Sequence, residues 1–382
     1  MRSIYAVVAV SALFARAPGE RVESVEQVEA RARALIAKGD DAGALAVYEK
    51  AAAQAPGSAR LQDDAGFVLA GLERFPEAAA KFRRAIALDP KFALARYHLG
   101  VTCWLSKEYL LGLPELKAAV ELEPKSYEYR YHLGVAFNEL GRYPEARDQL
   151  KAATALDPSG ADAWANFGLA LQRLGDLPQA LNAYRRAVDL EPANAAYRNG
   201  YGITLVKARQ GGQAIEQFRK VLEASPADNT ARLNMGFAYL QNGDLEMAER
   251  QFRDVIARDP GLGIAHYDLA VALKQKDDIE GAQAELKKAI ELDPGIPEAH
   301  YTLGLVYWQA GDFDQTAAEM RLAIALRPDY AEAYVTLGQA LRIKGDLEGS
   351  KAAFAQGAKV RAKAEEDEAD MLKKGMAGDK KQ

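Results

Sequence analysis

The residues best suited to chemistry in this sequence are four histidines and one cysteine. His98 and His132 lie in identical pentapeptides, RYHLG, while His266 and His300 recur in a second context. A pair of histidines can act in acid-base catalysis or begin a zinc site, which takes three or four ligands. Cys103 is the only cysteine, so no intrachain disulfide can form. Whether the histidines lie close together in space depends on the secondary-structure elements that contain them.

Those elements follow from a strict period of 34 residues. Proline recurs at this interval nine times, at Pro56, Pro90, Pro124, Pro158, Pro192, Pro226, Pro260, Pro294 and Pro328. A fixed period of this length is typical of stacked supersecondary units. With the proline as position 32, the chain contains ten units from Val25 to Ala364, and Ala362 replaces the proline in the tenth.

The pattern within each unit predicts two antiparallel helices of about 13 residues. A short break joins them, and the proline ends the second helix. Aspartate stands at position 16 in six units, where it can cap the second helix: Asp40, Asp176, Asp244, Asp278, Asp312 and Asp346. Proline in the first turn at 76, 144 and 178 supports the same start. Glycine recurs at position 8, which predicts a close approach to its backbone.

The pattern resembles the tetratricopeptide repeat family. Repeat five carries its signature residues at positions 4, 7, 8, 11, 20, 24, 27 and 32: Trp164, Phe167, Gly168, Leu171, Ala180, Tyr184, Ala187 and Pro192. The resemblance implies an all-α fold, an α-solenoid of helix-turn-helix repeats that forms a right-handed superhelix. It also implies that the concave groove of this superhelix binds peptide or protein partners.

Three segments are expected along the chain. Residues 1–24 contain an apolar run from Ile4 to Phe14 after a basic start, typical of a secretory signal peptide and too short to span a bilayer alone. Residues 25–364 are the ten repeats, and residues 365–382 form a polar capping helix and tail. Export to the periplasm or cell envelope is the expected localisation. A cytoplasmic location, with an uncleaved amphipathic start or a misassigned initiation codon, stays open.

At 100° per residue, positions 4, 7, 8 and 11 of the first helix share one face and positions 2, 5, 6, 9 and 13 the opposite one. The first face must pack within the helix pair, so the second is left for neighbours or for a ligand. Polar and aromatic residues at positions 5 and 6 form the predicted partner-binding groove: Tyr97, His98, Tyr131, His132, Asn166, Asn199, Asn234, Tyr267, Asp268 and Tyr301. Regularly spaced polar groups suit the backbone of an extended peptide.

The histidines are therefore expected to recur because the repeat recurs, and not because they form a common site. His98 and His132 hold position 6, and the next residues at that position are Asn166, Gly200 and Asn234, which do not complete a zinc site. His266 and His300 hold position 4 on the packing face. We expect no metal, no cofactor and no catalytic residue, because no nucleotide-binding, metalloprotease or redox motif is present.

Composition limits the classes of partner. The net charge is −5 with both signs interspersed, so a nucleic-acid partner is not expected. The sequence favours a non-enzymatic scaffold for protein partners, with a role in assembling a cell-envelope complex as the finer hypothesis. The alternatives are a structural or self-associating repeat protein of undetermined oligomeric state and the regulatory arm of an enzyme complex.

Overall fold

The computed structural model describes residues 23–379, and this part of the chain contains twenty α-helices in ten consecutive pairs and no strand. The predicted signal segment lies almost wholly outside the described residues. The chain divides into two compact units, and the boundary falls within α7, between Ala136 and Phe137.

The described part of the first unit contains six complete helices and the start of α7. Their bounds are α1 Val25–Ile36, α2 Asp41–Gln54, α3 Ala59–Gly71, α4 Phe75–Leu88, α5 Ala93–Leu105, α6 Tyr109–Leu122 and α7 Tyr127–Glu139. Pro114 lies inside α6, which continues through it.

The second unit holds the end of α7 and the other helices of the described chain. These are α8 Tyr143–Leu156, α9 Ala161–Arg173, α10 Leu177–Leu190, α11 Ala195–Lys207, α12 Gly211–Ala224, α13 Asn229–Asn242, α14 Leu245–Arg258, α15 Gly263–Gln275, α16 Ile279–Leu292, α17 Pro297–Gln309, α18 Phe313–Leu326, α19 Ala331–Ile343 and α20 Leu347–Asp379. The helix pairs confirm the predicted all-α repeat fold.

The turn inside each pair depends on one left-handed residue. Position 15 has a positive φ in all ten repeats, and in six of them the residue is glycine, as in Gly243 with φ 81°. The other four repeats place Glu73, Lys107, Arg209 and Asp277 there, with φ between 57° and 65°. A side chain in this region costs about 1 kcal/mol or more, so these four turns are strained relative to the glycine turns.

The second helix begins with the predicted aspartate cap in five of six cases. In these five repeats the carboxylate accepts a hydrogen bond from the backbone N–H three residues on, for example Asp40 from Gly43 at 2.8 Å. The prediction is wrong for Asp244, whose side chain makes no such bond. Its partner position holds Met247, whereas the five capped helices have glycine or glutamine there.

The periodic proline follows the end of each second helix by two residues, as at Leu190 and Pro192. The tenth repeat has Ala362 instead, and α20 runs on without a break to Asp379. The polar C-terminal segment is thus a continuation of this helix over the described residues, because the proline that ends the other second helices is absent.

In most pairs the core contains a large side chain packed on the position-8 glycine. A Cβ added to Gly236 would lie 2.5 Å from the Phe252 ring, and one added to Gly202 would lie 2.6 Å from Phe218. Both phenylalanines are completely buried. The predicted close approach is confirmed, and its partner is the position-24 side chain.

Candidate partner-binding groove

Neighbouring repeats are joined by a hydrogen bond that recurs in seven consecutive repeats. The position-4 side chain donates to the carbonyl of the proline six residues before it, at 2.6 to 3.3 Å. The pairs are Arg96–Pro90, Arg130–Pro124, Trp164–Pro158, Arg198–Pro192, Arg232–Pro226, His266–Pro260 and His300–Pro294. Arginine, tryptophan and histidine share this role because each carries an N–H at the end of a long side chain.

His266 and His300 are also held from the second helix of their own repeats. Their Nδ1 atoms lie 2.6 Å from Glu285 and 2.7 Å from Glu319. Both rings are buried. The structure thus places these two histidines in packing joints, as predicted from position 4.

In the first unit, His98 is bound to the preceding repeat. Its Nδ1 lies 3.0 and 3.1 Å from the two carboxylate oxygens of Asp63, which is only 1% exposed. The imidazole also lies 5.2 Å from the Phe67 ring and 5.4 Å from the Phe82 ring. The buried carboxylate and the two aromatic rings thus hold this histidine in contacts inside the unit.

Tyr97 and His132 make the next contact of the same kind. The Tyr97 hydroxyl lies 3.1 Å from His132 Nδ1, which also lies 2.9 Å from the Glu128 carbonyl. Because a carbonyl can only accept, Nδ1 carries the hydrogen and the tyrosine oxygen accepts part of it. Burial lowers the pKa of His132 and raises that of Tyr97 to about 12, so both are neutral near pH 7.

The two RYHLG histidines therefore do not form a ligand pair. Each is contacted by position 5 of the repeat before it, through Asp63 and Tyr97, and these contacts join positions 35 residues apart. Tyr131, the remaining predicted groove residue in this unit, packs against the His132 ring at 4.9 Å and stacks parallel to Tyr127. The first unit thus uses much of its predicted groove for contacts between repeats.

Asparagines occupy the predicted face at the start of the second unit. The side-chain amide of Asn166 donates a hydrogen bond to the Asp162 carbonyl at 2.9 Å. The donor group of this predicted groove residue is therefore bonded within its own helix. Asn199 Oδ1 and Asn234 Nδ2 differ, because both atoms are buried and neither has a hydrogen-bond partner among the described residues. One is an acceptor and the other a donor, in consecutive repeats. Such buried atoms without a partner are uncommon in proteins, and each needs an explanation.

Asp268 continues this face in repeat eight. Burial raises the pKa of its carboxyl to about 7, with no compensating cation. Beside it, burial raises the pKa of Tyr267, and a hydrogen bond to Thr302 of the next repeat acts in the opposite direction. Tyr301 packs 4.8 Å from the Tyr330 ring. Repeats six to eight thus hold several polar groups that lack internal partners.

Two aromatic residues on the same face are missing from the predicted set. Phe67 is 57% exposed in the first unit and Phe237 is 45% exposed in the second, and both hold position 9. Position 9 is otherwise mostly aliphatic and half-buried, a pattern that favours packing against the neighbouring helix. The signal in the sequence that could have identified them is the size of the two rings. A phenylalanine at position 9 extends further from the helix than the valine or leucine that packs there in other repeats.

The remaining candidates for chemistry are groups of metal ligands and the single cysteine. No three histidine, cysteine, aspartate or glutamate side chains in this part of the chain come together in a way that could hold a metal ion. Cys103 is buried, and burial raises the pKa of its thiol, which disfavours the reactive thiolate. None of the helices within residues 23–379 combines the length and the apolar composition that crossing a bilayer requires.

Comparisons with known proteins agree with this architecture. Models described as tetratricopeptide or TPR repeats match residues 65–112, 136–175, 166–229, 205–261, 271–311 and 301–367. No curated protein is significantly similar in sequence.

Solved structures show the same fold at low sequence identity. A tetratricopeptide repeat protein from Parabacteroides merdae is 18% identical with a TM-score of 0.59, over 65% of this chain and 98% of that one. Yeast Tom70 is 12% identical with a TM-score of 0.54, over 93% and 95%. The Cut9–Hcn1 complex of the APC/C is 13% identical with a TM-score of 0.51, over 92% and 84%. On its period, its helix pairs and these matches, the chain belongs to the tetratricopeptide repeat family.

Proposed function

We propose that this chain is a non-enzymatic scaffold that binds an extended segment of a partner protein along the first-helix face of repeats six to eight. The observation that carries the proposal is the pair of buried, unpartnered amide atoms, Asn199 Oδ1 and Asn234 Nδ2. An extended peptide presents alternating N–H and C=O groups and can satisfy one acceptor and one donor on its path.

The spacing of the helices suits such a ligand. Packed helices lie about 8–10 Å apart, and an extended chain advances about 3.3 Å per residue, so each repeat corresponds to roughly three peptide residues. Three repeats would contact a segment of about nine residues. Phe237 supplies an exposed apolar surface in the middle repeat of the three, and an apolar side chain of the ligand would pack there.

The test is a selection of peptides followed by variants of the groove. Twelve-residue peptides displayed on phage are selected on the purified chain, and the affinity of an enriched peptide is measured by calorimetry. Loss of two hydrogen bonds in the double variant Asn199→Ala and Asn234→Ala should weaken binding by about tenfold or more.

Gln213→Ala is the matched control, because this exposed amide lies at the start of α12 and has no role in the proposed face. It should leave the affinity unchanged. Enriched peptides that bind the double variant as tightly as the original chain would refute the proposed groove.

We propose, as the finer function, that the scaffold is exported and assembles a cell-envelope complex. The basis is the basic start and the apolar run from Ile4 to Phe14. Expression with a C-terminal reporter, followed by cell fractionation, should place the reporter outside the cytoplasm. A single Val8→Asp change puts a charge in the middle of the apolar run and should retain the reporter in the cytoplasm. Equal export of both forms would contradict the proposal.

Self-association is a second candidate function, supported by an apolar surface in the first unit. Leu105, Leu110 and Leu111 are 58%, 84% and 56% exposed around the start of α6. Exposed apolar clusters of this kind favour protein contacts. Light scattering at two concentrations should show a larger mass at the higher one, and Leu110→Gln with Leu111→Gln should abolish the increase. A constant monomer mass would dismiss this candidate.

A further inference from the structure

The second unit contains a cavity of about 660 Å³ between α9 and α10, the two helices of repeat five. Its walls include the rings of Trp164 and Phe167 and the methyl group of Ala183. Arg185, Arg186 and Asp189 stand around it and are exposed. The volume falls in the usual range of sites that bind small groups in proteins, about 300–1,000 Å³.

The cavity arises from one departure from the repeat pattern. In repeats six to nine, the position-4 side chain contacts a long side chain at position 23 of the second helix: Arg198 with Gln217, Arg232 with Gln251, His266 with Glu285 and His300 with Glu319. Repeat five has Trp164 and Ala183 at these two positions. A methyl group cannot reach the indole, so the space that glutamine or glutamate fills elsewhere stays open.

Repeat ten shows that alanine alone does not create the same surface. It also combines a ring, Tyr334, with an alanine at position 23, Ala353. Its positions 25 and 26 are Ala355 and Gln356, where repeat five has Arg185 and Arg186. The combination of an aromatic wall with two adjacent guanidinium groups therefore distinguishes repeat five from repeat ten.

The charged groups around the cavity are available to a ligand. Arg185 donates to Asn182 at 3.0 Å, and within residues 23–379 Arg186 has neither an ion pair nor a hydrogen bond. Two arginines against one aspartate leave a net positive rim, which favours a carboxylate. The Trp164 indole N–H is bonded to the Pro158 carbonyl, so the ring is held in place as part of the wall.

We propose that this cavity binds an aromatic side chain of a partner protein that has acidic residues beside it. The ring would pack against Trp164 and Phe167, while a neighbouring carboxylate would bind Arg186 and Arg185. The occupant is a side chain on a polypeptide because the rim residues are exposed, which leaves room for the segment that carries the ring to continue in solvent. This site lies on the packing face of α9 and is separate from the position-5 and position-6 residues of the proposed groove.

The test uses two short peptides and the fluorescence of one tryptophan. Trp104→Phe and Trp308→Phe leave Trp164 as the only emitter of the full chain. Acetyl-Glu-Phe-Glu-amide should change this emission with a dissociation constant of roughly 1 mM or tighter. Acetyl-Glu-Ala-Glu-amide should bind at least about tenfold more weakly, and equal binding of the two would overturn the proposal.

Ala183→Gln closes the cavity with the residue that repeats six and seven use. It should weaken binding of the phenylalanine peptide by at least about tenfold, with the helical circular dichroism unchanged. Unaltered affinity in this variant would overturn the site. Should Ala183→Gln fail to fold, the exposed double variant Arg185→Gln and Arg186→Gln gives the second measurement. It should weaken binding by about threefold to tenfold, and no loss would overturn the assignment.

Two further arms separate this site from its alternatives. Phenylacetate supplies a ring and a carboxylate without a peptide backbone, and binding as tight as that of the peptide would overturn the proposal in favour of a free aromatic acid. The groove variant Asn199→Ala with Asn234→Ala should bind the phenylalanine peptide normally. A loss in that variant would mean that the peptide occupies the groove, and the cavity proposal would be overturned.

Discussion

Asp268 offers the sharpest test of how burial of a carboxyl group changes the stability of the second unit. Its carboxyl lies on the predicted groove face of α15, and burial raises its pKa from 3.8 to about 7 without a compensating cation. Replacing it by asparagine removes the charge and keeps the size and the hydrogen-bonding character. We expect Asp268→Asn to be more stable than the original chain at pH 8 and nearly equal to it at pH 4.

The sign follows from proton binding. The folded state holds the proton up to about pH 7, whereas the unfolded chain releases it near 3.8, so the folded state binds more protons between these values. The free energy of unfolding of the original chain therefore falls as the pH rises through this window. A shift of about three pH units at about 1.4 kcal/mol each gives an upper limit of about 4 kcal/mol, and we expect about 2–4 kcal/mol at pH 8.

The assay is urea unfolding at pH 4, 6 and 8, followed by the fluorescence of Trp308 in the neighbouring repeat, with Trp104→Phe and Trp164→Phe in both proteins. Glu280→Gln, an exposed carboxylate on α16, is the control and should change the free energy of unfolding by no more than about 0.5 kcal/mol at any pH. A stability difference for Asp268→Asn that is the same at pH 4 and pH 8 would refute the reasoning. So would a direct titration of the carboxyl by nuclear magnetic resonance that gave a pKa near 4.

Three further predictions concern the packing of the repeats, each measured by chemical unfolding. Gly236→Ala should lower the free energy of unfolding by about 1–3 kcal/mol, because its Cβ would lie 2.5 Å from the Phe252 ring; an unchanged stability would show that the ring moves freely. Lys107→Gly should raise the free energy of unfolding by about 0.5–1 kcal/mol, because glycine adopts the φ of 64° without strain; a decrease would show that the lysine turn is not strained. Thr204→Val should cost about 1–3 kcal/mol, because it leaves the buried Gln172 amide without its 2.7 Å partner; a neutral result would mean that the amide finds another acceptor.

Much of the fold could be predicted because its determinants are local. The proline that follows nine of the second helices and the aspartate that precedes six of them act within a few residues, so the period predicts the helix pairs. Asp244 shows the limit of such signals: it holds the expected position, and its side chain still makes no capping bond.

The candidate site was less predictable because its contacts join different repeats. The helical wheel placed His98 and His132 on the groove face, but it could not show that Asp63 and Tyr97 reach them from the preceding repeat. That outcome depends on how two helix pairs pack, and no single repeat contains this information. The same reason explains Asn199 and Asn234, which look like other polar groove residues in sequence and differ only in lacking internal partners.

The bond from position 4 to the proline carbonyl connects seven pairs of neighbouring repeats, and its two ends lie within six residues of chain. Because both of its ends belong to the same stretch of sequence, the joint travels intact with any block of 34 residues. Gene duplication or loss of one complete block would keep every such donor six residues after its acceptor, whereas an insertion or deletion inside this short stretch would change their spacing. The length of such a protein can therefore change in whole steps without new interfaces having to arise.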